Sequence, residues 1–134
     1  MTLPQRSTTL HEELPATVDS VALARHALRR FTRGMEVDVD GMVLAVSEAV
    51  ANVVAHAYAD GAGDVELFAV ASPDEVQVVV RDHGRGLDGG DRAVRRGYGM
   101  EIIRRLAEHV SVDDSGHGLE LTMRFRRGGA WSVP

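Results

Sequence analysis

Between Asp38 and Ala57, apolar residues recur at steps of three and four: Val43, Val46, Val50, Val53, Val54 and Ala57. That spacing returns to one side of an α-helix at every turn. It predicts a helix begun by Asp38 or Asp40 and ended by Ala59-Asp60-Gly61-Ala62-Gly63. So apolar a face has to be covered by a second layer, and the rest of the chain supplies one. Two strands follow, Asp64–Ala71 and Glu75–Arg81, joined by Ser72-Pro73-Asp74, where Pro pre-sets the turn. The nearly continuous run Val76, Val78, Val79, Val80 predicts a central position for the second of them. Upstream, Val21, Ala24, Leu28 and Phe31 form the stripe of an amphipathic helix capped by Thr17 or Asp19 and broken by Thr32-Arg33-Gly34. Thr8 to Leu14 is strand-like and closed by Pro15. A third helix is expected from Met100 to Glu108, then a hairpin of His109–Asp113 with Leu119–Phe125. The fold class predicted is α/β (α+β), a two-layer sandwich with a mixed, largely antiparallel sheet and helices on one face. At 134 residues this is one domain, with an ordered core over about 10–126 and a tail over 127–134.

Composition removes several chemistries. There is no cysteine, so disulfides, thiolate zinc sites and Cys nucleophiles are excluded. All 15 basic residues are Arg, which excludes a P-loop lysine and a Schiff base. A net charge of −5 disfavours direct nucleic-acid binding. The first residues lack the apolar core of a signal peptide, and no stretch reaches the ~20 apolar residues of a membrane span. The expectation is a cytoplasmic protein with no membrane attachment, whose phosphate ligands are held by Arg, backbone N–H groups or a metal.

Three segments carry candidate chemistry. Glu48, Asn52 and His56 fall at intervals of four on the central helix, so they share a face. Asn52 is the chain's only asparagine, placed mid-helix, where Asn competes for backbone hydrogen bonds. A solvated polar face is one reading; the other is a pair of hard oxygen ligands suited to Mg²⁺ held jointly with phosphates. Asp82-His83-Gly84-Arg85-Gly86 stands where a strand ends; alone it could be only a turn, or an acceptor for an exocyclic amine beside accessible backbone. Gly84 to Gly89 also fits GxGxxG, but no helix and parallel strand follow as a dinucleotide fold requires. Gly97-Tyr98-Gly99 precedes the third helix, where glycines and backbone N–H groups can cradle an anion, with Arg92, Arg95 and Arg96 upstream.

In order and spacing, these segments resemble the GHKL (histidine-kinase-like) ATPase superfamily, and most closely its anti-sigma-factor serine/threonine kinases of the RsbW type. SEAVANVVAHAY (47–58) looks like the N box, VRDHGRGL (80–87) the first glycine box and GYGMEIIRRLAEHV (97–110) the second. VALARHALRRF (21–31), with Arg25, is also similar. The resemblance implies a Bergerat-type ATP-binding fold that takes ATP or ADP with Mg²⁺. Asn52 would coordinate the metal, and Glu48 would serve as the base or water-orienting group. Asp82 would accept from the adenine amine, with Gly84 and Gly86 lining the base pocket. Arg92, Arg95, Arg96, Gly97, Gly99 and Met100 would belong to the phosphate side and its lid. The implied partners are a sigma factor and a STAS-type anti-sigma-factor antagonist phosphorylated on serine, with the chain itself a homodimer. Two departures stand out. Gly118-Leu119 replaces the family's Gly-Thr, and the lid over 87–96 is ten residues long, which is short. They leave open a nucleotide-binding anti-sigma module without kinase activity. A lone histidine-kinase catalytic domain is disfavoured, because Pro15 breaks the helix that His11-Glu12 would need as a phospho-acceptor box.

Overall fold

The structure, a computed structural model, describes residues 8–58, 62–84, 100–114 and 118–128. Eight elements run in the order β1 (Thr9–Pro15), α1 (Asp19–Phe31), α2 (Val39–His56), β2 (Asp64–Ala71), β3 (Glu75–Asp82), α3 (Met100–Leu106), β4 (His109–Asp114) and β5 (Leu119–Arg126). The strands form one sheet, ordered β1-β2-β3-β5-β4, with β3 at its centre as its valine run predicts. Every described pairing is antiparallel, so the sheet is not mixed.

Strand alternation decides what faces the helices. Val65, Leu67 and Ala69 of β2, Val76, Val78 and Val80 of β3, and Leu121, Met123 and Phe125 of β5 are buried on one side. Ala24 and Leu28 of α1, Ile103 of α3 and most of α2 complete the core. Burying one side chain such as Leu28 contributes about 1.5–3 kcal/mol. The opposite face carries Glu66, Phe68, Arg81 and Glu120 on neighbouring rungs and is half open to solvent.

The central helix buries more than the predicted stripe. Of that stripe Val54 is only half-buried, but besides Val43, Val46, Val50, Val53 and Ala57 the core takes in Met42, Ala45 and Ala49, because the helix packs on α1, α3 and β3 together. By length and composition α2 could cross a membrane, with 18 residues at a mean hydropathy of 1.3, but half of it is buried in the core described here. Its cap is Asp38, whose side chain accepts from the Gly41 N–H at 3.0 Å.

Several boundaries differ from the sequence expectation. Helix α1 has no side-chain cap: Val18 holds the N-cap position, and Thr17 contributes its carbonyl to the Ser20 N–H instead. Asp19 lies in the first turn, where its charge meets the positive helix end. Helix α3 ends at Leu106 rather than Glu108, because the Glu108 N–H is drawn to the Arg124 carbonyl at 2.7 Å. Arg127 and Gly128 are not a loose tail. Arg127 bridges Val37 and donates its N–H to the Asp74 carbonyl, and the Gly128 N–H bonds the Glu36 carbonyl.

Candidate nucleotide site

Strand β3 is expected to end at Arg81; it continues one residue further, and that residue matters. In phase with Val76, Val78 and Val80, Asp82 points to the helix side and is 2% exposed. A carboxylate there needs hydrogen-bond donors. Its Oδ1 accepts from the Gly84 N–H at 3.0 Å and the Leu119 N–H at 3.1 Å. Both bonds are charge-assisted, and both come from main-chain donors.

Two glycines make this possible. A Cβ on Gly84 would lie 2.1 Å from the Ala57 carbonyl oxygen, so only glycine lets the end of β3 close on the end of α2. The bareness of Gly84 is therefore filled by helix backbone, where the sequence pattern points to the approach of a ligand. Gly118 has φ +148°, and a Cβ there would lie 2.1 Å from the Asp82 carbonyl oxygen. That approach carries the Leu119 N–H to Asp82. The group at 119 that holds Asp82 is main chain, so this bond is indifferent to the side chain at that position.

Glu48, Asn52 and His56 are all half-buried on α2, bordering the buried residues. The contact of Gly84 with Ala57 puts the C-terminal end of α2 beside Asp82. At 1.5 Å per residue, Asn52 then lies about 7–8 Å back along the helix, and Glu48 one turn further, about 6 Å. Ser47, next to Glu48, is buried and held by Arg25: the Arg25 Nε donates to Ser47 Oγ at 2.7 Å, which donates to the Val43 carbonyl at 2.6 Å. Met100 is buried at the start of α3. Gly86, Arg92, Arg95, Arg96, Gly97 and Gly99, with the rest of the lid, lie outside the described residues.

Sequence reasoning missed Tyr58 as a separate participant. Its hydroxyl donates to the Asp64 carbonyl and accepts from the His83 N–H at 2.9 Å. Burial pushes the phenol above its ordinary value, outweighing the lowering effect of those backbone bonds, so at neutral pH it keeps the proton it donates. Next to it on the open face, Glu66 receives the His83 Nε2 at 2.6 Å and the His11 Nε2 at 3.1 Å, with Arg81 at 3.7 Å. Hydrogen bonding to His83 leads, with His11 and Arg81 adding, and holds the Glu66 carboxyl below its ordinary value against the effect of burial. His11 stacks on Phe68 at 4.3 Å, and the Arg81 guanidinium lies 4.9 Å from the Phe68 ring centroid.

Among the described residues no group of three His, Cys, Asp or Glu could hold a metal ion. The oxygens of Asn52 and Glu48 suit Mg²⁺ only if phosphate oxygens or water complete its shell, which is the usual habit of that ion. The donor set therefore fits a metal that arrives with a nucleotide.

A buried strand-end carboxylate, a glycine packed on helix backbone and a polar stripe on the adjoining helix thus meet at one end of a helix-backed antiparallel sheet. The chain belongs to the histidine kinase-like ATPase domain family, which matches residues 14–125. The serine-protein kinase RsbW of Bacillus cereus is 28% identical over 120 residues, covering 87% of this chain and 72% of that protein. The anti-sigma F factor of Clostridium acetobutylicum is 27% identical over 99 residues, 65% of this chain and 69% of that protein. Among solved structures, the RsbU and RsbW domains of Rv1364c from Mycobacterium tuberculosis match with a TM-score of 0.72 and 25% identity, over 90% of this chain and 33% of that one. Membership of this family implies nucleotide binding.

Proposed function

We propose that this chain is an ATP-binding anti-sigma factor and protein serine kinase that phosphorylates a STAS-type anti-sigma-factor antagonist. The observation that carries the reading is the line of groups along α2: Asp82 at its C-terminal end, Asn52 about 7–8 Å back and Glu48 a turn beyond. That order matches a nucleotide lying along the helix, base at Asp82 and phosphates toward Asn52 and Glu48. The relatives named as a serine-protein kinase and an anti-sigma factor supply the partner classes, a sigma factor and its antagonist. We take the chain as one domain whose core runs from Thr9 to Gly128, acting in the cytoplasm as a homodimer, with no direct contact to nucleic acid or membrane.

In this reading Asp82, oriented by the Gly84 and Leu119 N–H groups, accepts a hydrogen from the adenine amine. Gly84, with Gly86, borders the base. Asn52 holds Mg²⁺, which when bound neutralises phosphate charge. Arg92, Arg95, Arg96, Gly97, Gly99 and Met100 form the phosphate side. Glu48 accepts the proton of the incoming serine hydroxyl as its oxygen bonds the γ-phosphorus and the bond to ADP breaks. Such a positioned base typically contributes ~10²–10⁴ in rate, the rest coming from alignment and charge neutralisation.

The test is Glu48→Gln, which keeps shape and removes charge. The variant is expected to bind ATP and its sigma partner normally, while transfer of radiolabelled phosphate to a cognate antagonist falls at least about tenfold. A wild type that binds an antagonist and ATP yet transfers no phosphate to it would leave a nucleotide-binding anti-sigma module and refute the kinase.

A further inference from the structure

The C-terminal end of β3 is separated from both neighbouring strands by side chains. On the β5 side the ladder stops at Arg81↔Glu120, and where Asp82 would next pair with Leu119, the Leu119 N–H goes to the Asp82 carboxylate. On the β2 side the ladder stops at Val65↔Asp82. The next rung would join Asp64 to His83. There the Tyr58 hydroxyl stands between the strands, donating to the Asp64 carbonyl and accepting from the His83 N–H at 2.9 Å. Tyr58 follows directly on the Ala57 cap of α2. One phenol oxygen therefore ties the end of the central helix to the two strand ends that flank the base-recognition carboxylate.

The ring is as constrained as its oxygen. A Cβ on Gly63 would lie 2.2–2.4 Å from Tyr58 ring atoms, so Gly63 lies flat against that ring. The Gly63 carbonyl is in turn held by the Ala16 N–H at 2.8 Å. On the other side, the His83 peptide held by Tyr58 leads straight into the Gly84 N–H that orients Asp82. The path from the phenol to the carboxylate is two peptide units long, and Gly84 within it already touches the Ala57 carbonyl. Little slack is left for the carboxylate to turn.

We infer that Tyr58 is a positioning residue for base recognition: its hydroxyl holds the His83–Gly84 backbone so that Asp82 faces the adenine amine. The inference rests on the nucleotide-binding reading above and deepens it. With its hydroxyl engaged by the Asp64 carbonyl and the His83 N–H, Tyr58 acts through the strand end, so its removal loosens discrimination between bases more than it weakens the hold on phosphate.

The experiment measures ADP and GDP affinity by calorimetry for wild type, Tyr58→Phe and Leu28→Ala, a core truncation remote from the strand end. Tyr58→Phe keeps the ring against Gly63 and loses both hydroxyl bonds. It is expected to weaken ADP about tenfold, GDP much less, and so to lower the ADP-to-GDP affinity ratio about five- to tenfold. Leu28→Ala is expected to lower stability and leave that ratio unchanged, because destabilisation alone does not choose between bases. A Tyr58→Phe variant within twofold of wild type in both ADP affinity and ratio overturns the inference while leaving the nucleotide site standing. A wild type with equal affinity for ADP and GDP overturns the Asp82 assignment itself, and this inference with it. Should Tyr58→Phe fail to fold, amide hydrogen exchange in the unmodified chain decides between the outcomes. The His83 amide, on an exposed residue, is expected to be protected, and to exchange at least fivefold more slowly with ADP bound. A His83 amide that exchanges freely, or that ADP does not affect, refutes the clamp.

Discussion

Replacing Asp82 with Asn changes one atom and separates two consequences of the same side chain. In the folded chain, Oδ1 accepts two backbone N–H groups, at 3.0 and 3.1 Å, in a position only 2% exposed. Hydrogen bonds to a charged acceptor contribute about 1.5–3 kcal/mol each against about 0.5–1.5 for neutral ones. The amide oxygen of Asn can keep both donors, so stability falls by the difference, about 1–3 kcal/mol in all, and the chain still folds. Binding suffers differently. With its oxygen committed to Gly84 and Leu119, the new side chain turns its NH₂ toward the base, donor against the adenine amine. Two donors left facing each other cost about 1–3 kcal/mol, or roughly 5- to 150-fold in ADP affinity. Guanine presents a carbonyl oxygen at the same place, so GDP is expected to gain relative to ADP. Urea unfolding at neutral pH measures the first effect, and calorimetric titration with ADP and GDP on the folded variant measures the second. An Asp82→Asn protein that folds with reduced stability yet binds ADP within twofold of wild type would refute the argument. Asp82 would then be a structural carboxylate holding β5 to β3, with no part in reading the base.

Gly84→Ala is expected to cost about 1–3 kcal/mol, seen as a lower urea midpoint, because its Cβ would meet the Ala57 carbonyl oxygen at 2.1 Å and two backbones must part; an unchanged midpoint would show that this junction gives freely. For Asn52→Ala, added Mg²⁺ is expected to lose most of its benefit to ADP affinity while Mg²⁺-free ADP binding stays nearly intact, and equal weakening of both would assign Asn52 to the fold. Glu66→Gln probes the open face by pH. Because the folded carboxyl titrates below its ordinary value, chiefly through His83, the ionised side chain stabilises the fold above pH 4.5 and loses that effect as pH falls through its lowered folded value. The stability gap between wild type and Glu66→Gln is therefore expected to be full at neutral pH and to close in acid. Denaturation curves with an equal gap at both ends would contradict it.

The elements that lie close along the chain were legible from it, because their signals are local. Val43, Val46, Val50 and Val53 mark the buried side of α2 through a period of 3.6, and Asp38 caps it as its side chain type predicts. The valines of β3 mark the central strand. Spacing alone puts Glu48, Asn52 and His56 on one helix face, and the alternation that buries Val76, Val78 and Val80 carries on to bury Asp82.

One bond to Asp82 is local, from the Gly84 N–H two residues on, but the other belongs to the tertiary structure. Its donor at Leu119 is 37 residues away, and the two meet because β5 passes β4 to lie beside β3, an order no local pattern encodes. The same holds for Gly84 against Ala57, for Gly118 against Asp82 and for the Tyr58 hydroxyl between Asp64 and His83. A residue type and its periodicity report which side of an element is buried, since that depends on neighbours three or four places off. Which main-chain N–H a buried carboxylate captures, and which glycine has to be bare to let it, depends on strand order and on sub-ångström clearances between backbones. Those exist only once the sheet has closed under the helices.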